Sequence, residues 1–216
     1  MKKLSDKKKM AFVIETLKKS VRSDCALEFN GDPWKLLVMA RLSAQCTDAR
    51  VNAVCRELFV KYPTARDMAD ADITELEEAV RSCGLFRVKA SDIKTASAII
   101  CEKYGGNVPS DMDALLELPG VGRKIANLVR GDLFGLGGVV TDTHCIRICG
   151  RLGFYPEAEK NPQKIEKILT PLVPSEEQTD LCHRLVWFGR DICTARSPRC
   201  DECNIREVCS YFLEKK

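Results

Sequence analysis

The sequence predicts an all-α protein, because helical signals recur along the chain and strand signals do not. Between Met10 and Val21, apolar residues are spaced by three or four positions and therefore share one helix face. Asp32-Pro33 supplies an N-cap followed by proline at the first helical position. The one strand-like run, Gly138 to Thr141, is too short to build a sheet.

The later helices follow in order, each marked by a cap or a stop. Asp72 with Glu75 forms a capping-box pattern for a helix that ends before Gly84. Further helices are expected over Trp34 to Gln45, over Ala90 to Tyr104, after a cap made by Ser110 with Asp113, and after the turn at Pro119-Gly120. The glycine-rich stretch from Phe134 to Gly138 is the weakest joint between two strong helices.

Composition excludes membrane proteins and secreted disulfide scaffolds. The chain has 216 residues, enough for a substantial core, and it shows neither a signal-peptide core nor a run that could span a bilayer. We therefore expect a cytoplasmic protein without membrane partners. Free cysteine packs as a small hydrophobe, so eight dispersed cysteines are interpreted as core residues: Cys25, Cys46, Cys55, Cys83, Cys101, Cys145, Cys149 and Cys182.

The charge of the chain does not identify a partner. The net charge is only +3, although residues 1–25 hold eight Lys or Arg against three acids. That local excess fits a phosphate-facing patch and a solvated helix face equally well.

Four cysteines near the C-terminus follow the pattern C-x6-C-x2-C-x5-C, at Cys193, Cys200, Cys203 and Cys209. Four thiolates on one short segment can close around a single metal centre, either tetrahedral zinc or an iron–sulfur cluster. Zinc sites more often contain two C-x2-C pairs, whereas this segment has one. The spacing therefore leans away from zinc without excluding it.

A helical hairpin is predicted around Leu118-Pro119-Gly120-Val121-Gly122. The two glycines allow a sharp turn and a close backbone approach, and the following helix directs its first N–H groups to the same place. A DNA phosphate suits such a site. An ordinary hairpin that uses glycine for geometry alone is the alternative.

Two residues are candidates for catalysis, one in this hairpin and one after the glycine-rich joint. Lys124 lies in the first turn of the second hairpin helix, where the helix dipole would lower its pKa if the amine were also shielded from water. An uncharged amine is a nucleophile. Asp142 stands at the entry of another helix, and alone it is more simply a helix cap.

Five ordered motifs together resemble the helix-hairpin-helix DNA glycosylases with a glycine-proline-aspartate loop, most closely the endonuclease III family. The resemblance extends from about Leu36 to Cys209, nearly the whole chain. The motifs are Leu42-Ser43-Ala44-Gln45-x-Thr47-Asp48, Gly84-Leu85-Phe86, Leu118 to Lys124, Val140-Thr141-Asp142-Thr143-His144 and the four C-terminal cysteines.

The resemblance implies a bifunctional DNA glycosylase and AP lyase that excises damaged bases, above all oxidised pyrimidines, from double-stranded DNA. Lys124 would attack the sugar and Asp142 would stabilise the positive charge that develops on it. The four cysteines would hold a [4Fe-4S] cluster. Residues implied to contact DNA are Gln45, Leu85, Pro119, Gly120, Val121, Gly122, His144, Arg196 and Arg199.

The same resemblance implies two domains and a monomer. A six-helix barrel would cover residues 26–135, with the hairpin at about 110–134, and residues 1–25 with 136–216 would form the cluster domain around the loop 193–209. Departures from the family pattern at Arg41, Arg87, Arg130 and Cys145 suggest a divergent paralogue with another lesion range. A monofunctional glycosylase and a non-catalytic DNA-binding protein are the remaining alternatives.

Overall fold

The computed structural model describes residues 4–214, and over that range the chain is helical without a strand. This confirms the all-α prediction. None of the described helices is long and apolar enough to cross a membrane. The α-helices of the described chain are α1 Asp6–Lys18, α2 Pro33–Leu42, α3 Asp48–Lys61, α4 Ala65–Asp70, α5 Ile73–Val80, α6 Phe86–Lys103, α7 Met112–Leu116, α8 Arg123–Phe134, α9 Thr143–Arg151, α10 Pro162–Leu169, α11 Gln178–Asp191 and α12 Ser210–Leu213.

The helices group into two compact units. One unit runs continuously from Ala26 to Phe134 and contains α2 to α8. The other combines the described residues up to Cys25 with those from Gly135 onward, and it contains α1 and α9 to α12.

In the continuous unit, the long helix α6 packs against α2, α4 and α5. Its buried face carries Ala90, Ile93 and Ile100, each at most 1% exposed, which follows from their spacing of three and seven positions. The same face also carries Lys89, a cation that is 0% exposed. A charge inside the packed face of a helix requires polar partners, which are described below.

Helix caps decide where most elements begin. The Asp32 and Asp72 side chains accept backbone N–H groups of α2 and α5, as predicted. The expected Ser110 cap is wrong: α7 is capped by Asp111, whose Oδ1 accepts from Ala114 N at 3.0 Å. A carboxylate one residue later reaches the third helical amide and so fixes the start of the helix.

In the other unit, α1 and α9 pack against α11. Met10, Val13 and Leu17 of α1 are almost fully buried, which confirms the helix face expected there. One of the N-terminal lysines points into the protein and not toward solvent, because Lys9 Nζ donates to Leu152 O at 2.7 Å. Lys2 and Lys3 lie outside the described residues.

Candidate active site

The hairpin predicted around residue 120 is present as α7, a tight turn and α8. Leu118 and Val121 are 2% and 5% exposed, so both apolar residues of the turn are anchored in the unit. Gly120 adopts φ +74°, a left-handed conformation that other residues reach only with strain. Gly122 has open space where a side chain would begin, so the turn presents bare backbone to its surroundings.

Lys124 lies in the first turn of α8, two residues beyond Gly122, and it is exposed. The chain itself therefore does not supply shielding of this amine from water. A DNA duplex laid on the bare backbone of the turn would supply it.

Arg41, one of the departures from the family pattern, is paired with an acid. Its Nε donates to Asp92 Oδ2 at 2.7 Å and its terminal NH2 group lies 2.6 Å from the same oxygen. The pair joins α2 to α6 and is largely buried, with 13% and 18% of the two side chains exposed.

This ion pair lies directly under the hairpin turn. A Cβ placed on Gly120 would come within 2.5 Å of Arg41 Cδ and 2.6 Å of Asp92 Oδ2. Only glycine therefore allows the turn to rest on the Arg41–Asp92 pair.

The two glycines of the turn should respond differently to alanine. Gly120→Ala should lower the free energy of unfolding by roughly 2–4 kcal/mol, because a left-handed alanine also collides with the ion pair. Gly122→Ala, the matched control, should change stability by less than about 0.5 kcal/mol yet weaken DNA binding, since it blocks the bare backbone. Urea unfolding and DNA titration measure both. Equal destabilisation by the two variants would contradict this account.

Gln45 and Leu85, the residues expected to enter the DNA duplex, share an unusual backbone conformation. Among the described non-glycine residues, positive φ occurs at Asn30, Gln45 and Leu85, with values of 53°, 54° and 47°. Asparagine tolerates this region, whereas leucine and glutamine do so at a cost of about 1–2 kcal/mol each. Both side chains are exposed, Leu85 by 59%. Strain maintained at exposed residues indicates function.

Gln45 also lies outside the helix in which it was expected. The helix α2 ends at Leu42, and residues 43–46 form a turn in which the left-handed Gln45 faces outward. Leu85 occupies the N-cap position of α6 without a capping side-chain hydrogen bond. Each of the two residues therefore stands at the tip of a bend next to a helix end.

We expect Leu85→Gly to be more stable than Leu85→Ala by about 1 kcal/mol, because glycine relieves the left-handed strain and little apolar area is lost. The exposed helical residue Val88 is the control: there glycine should be less stable than alanine by about 1 kcal/mol. Thermal unfolding of the four variants shows whether the sign reverses. Both Leu85 variants should lose base excision equally, so activity and stability would separate.

Asp142 is the N-cap of α9 and its Oδ1 accepts from Cys145 N at 2.7 Å. The cap uses one carboxylate oxygen, and a carboxylate offers a second acceptor. Two residues on, His144 Nδ1 lies 3.2 Å from an Arg147 nitrogen, and a side chain on Gly189 of α11 would collide with the His144 ring. The aspartate and the histidine are thus held rigidly at the start of one helix.

Two arginines in the C-terminal half of α9 bind the loop that contains Cys193, the first cysteine of the C-terminal pattern. Arg147 Nε donates to Cys193 O at 3.1 Å. Arg151 donates to Cys193 Sγ at 3.3 Å and to the carbonyls of Thr194 and Ala195, both at 2.8 Å. These contacts connect the helix capped by Asp142 to the loop that contains Cys193.

The four cysteines Cys193, Cys200, Cys203 and Cys209 line one pocket, next to Arg151 and Tyr211. None of the described residues that line it carries a carboxylate or an imidazole, so its donors are soft sulfur atoms.

Burial also affects the protonation of the cysteines in this pocket. It raises the pKa of the Cys203 thiol to about 11 and raises that of Cys209 as well. Neutral thiols would therefore be enclosed at physiological pH. Iron stabilises the thiolate form and offsets the desolvation, and its binding releases protons.

The arginines singled out in the sequence differ in their surroundings. Arg196 and Arg199, expected to contact DNA, are both exposed. Arg199 Nε donates to Asp191 O at 2.8 Å, and its NH1 lies 3.2 Å from Glu202 Oε2. Arg130 Nε donates to Ser110 O at 3.1 Å and so fastens α8 to the start of the hairpin. Arg87 is exposed and lies over the Phe86 ring at 5.6 Å.

The fourth departure from the family pattern, Cys145, is a core residue. It is 1% exposed, and contact with Cys149 and burial raise the pKa of its thiol well above the ordinary value. The interpretation of the dispersed cysteines as core residues holds for Cys145 and for the buried Cys55, Cys83, Cys149 and Cys182, whereas Cys25, Cys46 and Cys101 are only partly buried.

Sequence reasoning missed Asp92 and Lys89. Asp92 is an ordinary helix residue until its partner, 51 positions away, is known. Lys89 could have been found, because it stands on the apolar face of α6 next to Ala90 and Ile93. A lysine in such a position must have buried acceptors.

Fold and site together define a class: helix-hairpin-helix proteins that act on DNA bases and carry a C-terminal metal centre. The model of the HhH-GPD superfamily base excision DNA repair proteins matches residues 38–175, and that of the iron-sulfur binding domain of endonuclease III matches residues 193–209. The chain is 43% identical to endonuclease III of Bacillus subtilis (strain 168) over 187 residues, which cover 87% of the chain and 84% of that protein. It is 38% identical to endonuclease III of Escherichia coli (strain K12), over 83% of the chain and 84% of that protein.

Solved structures agree. A non-covalent endonuclease III–DNA complex superposes with a TM-score of 0.90 at 38% identity, covering 98% of this chain and 99% of that one. A thermostable thymine-DNA glycosylase superposes with a TM-score of 0.87 at 26% identity, covering 96% and 98%. The chain belongs to the endonuclease III family. It is a DNA glycosylase and AP lyase of base excision repair with a [4Fe-4S] cluster, and the predicted family, activity and cofactor are confirmed.

Proposed function

We propose that the chain excises oxidised pyrimidines from duplex DNA and cuts the strand on the 3′ side of the resulting abasic site, acting as a monomer. The observation that carries the proposal is Lys124, an exposed amine in the first turn of α8 beside the bare backbone of Gly122. A related structure is a trapped endonuclease III–DNA covalent intermediate, which supports a covalent route.

The first step is extrusion of the damaged base, because a stacked base is out of reach of any nucleophile. Gln45 and Leu85 enter the space that the base leaves. Their strained, outward conformations exist before DNA binds, so no refolding of either loop precedes insertion.

The chemical steps belong to Lys124 and Asp142. The Lys124 amine forms a bond to the sugar C1′ while the glycosidic bond breaks and the base leaves with the bonding electrons. Asp142, capped in place at the start of α9, stabilises the positive charge that grows on the sugar. The C1′–O4′ bond then breaks, so that the sugar ring opens, O4′ takes up a proton and a Schiff base forms between C1′ and Lys124. The Schiff base makes the C2′ proton acidic, and loss of that proton breaks the C3′–O bond and expels the 3′ phosphate by β-elimination.

The structure bears on the lesion range through Arg41. A departure at this position was one reason to expect a divergent substrate, yet Arg41 is paired with Asp92 beneath the hairpin turn. The pair supports the turn and leaves oxidised pyrimidines as the favoured class.

The proposal is tested by incubating the protein with duplexes that contain an oxidised pyrimidine, an oxidised purine or a mismatch, with and without borohydride to trap the covalent adduct. Faster excision of a mismatch or purine lesion would overturn it, and base release without strand cutting would favour a monofunctional enzyme.

We also propose that Cys193, Cys200, Cys203 and Cys209 ligate the [4Fe-4S] cluster. The cluster gives the loop 193–209 a fixed shape, while Arg147 and Arg151 attach that loop to α9.

Cys203→Ser should lose most of the bound iron and the brown colour, from about four iron atoms per chain to below one. The half-buried Cys101 lies in the other unit, so Cys101→Ser is the control that should retain the cluster. Iron and sulfide analysis of both variants measures the cluster content. Full iron content in Cys203→Ser would show that this residue is not a ligand.

A further inference from the structure

Lys89 is a buried cation whose hydrogen bonds are all accounted for. It lies in the first turn of α6 and is 0% exposed. Its Nζ donates to Leu42 O at 2.8 Å, to Ala44 O at 2.7 Å and to Cys83 O at 2.7 Å. An ammonium has three N–H donors, so each one has an acceptor.

The three carbonyls belong to the two loops that carry Gln45 and Leu85. Leu42 is the last residue of α2 and Ala44 directly precedes Gln45. Cys83 ends the short 3-10 segment Arg81–Cys83, two residues before Leu85. Lys89 also donates its backbone N–H to Leu85 O at 3.1 Å. One side chain therefore fastens both loops to each other and to α6.

Packing alone does not explain a charge at this position. Burial lowers the pKa of Lys89, which shows that enclosing the ammonium is costly. An apolar side chain of similar volume would fill the space without that cost, and buried ionic groups are often replaceable in this way without loss of stability. What an apolar side chain cannot do is fix three carbonyls around one point.

We propose that Lys89 is a positioning residue for base extrusion, holding Gln45 and Leu85 as a pair in the conformations that enter the duplex. The inference rests on the proposed insertion of these two residues. Its effect is confined to substrates whose base must be extruded, because a preformed abasic site has no base to remove.

The test compares two reactions of Lys89→Met, which keeps the volume and removes the three donors. One is single-turnover excision of thymine glycol paired with adenine, and the other is cleavage of a preformed abasic site. Lys94→Met is the matched control: Lys94 lies on the same helix and donates to the carbonyls of Ala69 and Ala71, both at 2.6 Å, away from the two loops.

Lys89→Met should slow excision at least about tenfold and abasic-site cleavage less than about threefold, since small misplacements of positioning groups are costly. Lys94→Met should leave the ratio of the two rates unchanged. Equal losses in both reactions of Lys89→Met would show a purely structural role and overturn the inference. If Lys89→Met does not fold, Lys89→Gln, which removes the charge and leaves two of the three donors, is judged by the same ratio.

Gln45→Ala and Leu85→Ala separate this inference from the function on which it rests. Should neither variant slow excision, the proposed insertion itself fails. Should both slow it while Lys89→Met leaves the ratio at the wild-type value, the insertion stands and only the role of Lys89 is wrong.

Discussion

Replacing Lys124 by alanine should abolish the covalent adduct that borohydride traps on lesion-containing DNA. The variant loses its nucleophile, and both excision and strand cutting should fall below about one-thousandth of the wild-type rates. DNA binding and thermal stability should stay near wild type, because the side chain is exposed at a helix start. A denaturing gel of the trapped complex, together with product analysis, measures the loss.

Lys164→Ala is the matched control for this experiment. Lys164 also lies in the first turn of a helix, α10, and its Nζ is 3.6 Å from Glu159 Oε2. It should retain the full adduct yield. An adduct that persists in Lys124→Ala at wild-type yield would assign the nucleophile to another amine.

Replacing Asp142 by asparagine should separate its charge from its capping role. Asparagine caps helices as well as aspartate does, so α9 should keep its start and the stability should change by less than about 0.5 kcal/mol. Excision should nevertheless fall by about 10²–10³, because the negative charge facing the developing positive sugar is gone. Single-turnover excision and thermal unfolding measure the two effects.

Asp72→Asn provides the comparison. Asp72 caps α5 by accepting from Thr74 N and Glu75 N at 2.9 and 3.0 Å. Its replacement should leave both stability and excision unchanged. If Asp142→Asn lost as much free energy of unfolding as its loss of activity represents, the aspartate would act through the cap.

Much of the fold and the site follows from local sequence. The caps at Asp32 and Asp72, the hairpin glycines and the cysteine spacing depend on neighbouring residues, and the sequence shows these directly. The one wrong cap, Ser110 for Asp111, is a shift of one residue between two polar side chains that can both serve.

The rest depends on contacts between distant segments. The local sequence does not predict a left-handed backbone at Gln45 or Leu85, since neither residue is glycine or asparagine. The conformation is maintained by tertiary structure, through carbonyls that meet at Lys89. The partner of Arg41 was likewise undetermined, because Asp92 lies on another helix.

The Arg41–Asp92 pair also has a consequence for the history of the chain. Loss of either residue leaves a largely buried ion without its partner beneath the hairpin turn, at a cost of several kcal/mol. We therefore expect the two residues to occur together among relatives, because a substitution at one position alone destabilises the protein. An arginine and an acid at these two places would therefore mark a lineage of relatives, and homologues without the arginine should lack the acid.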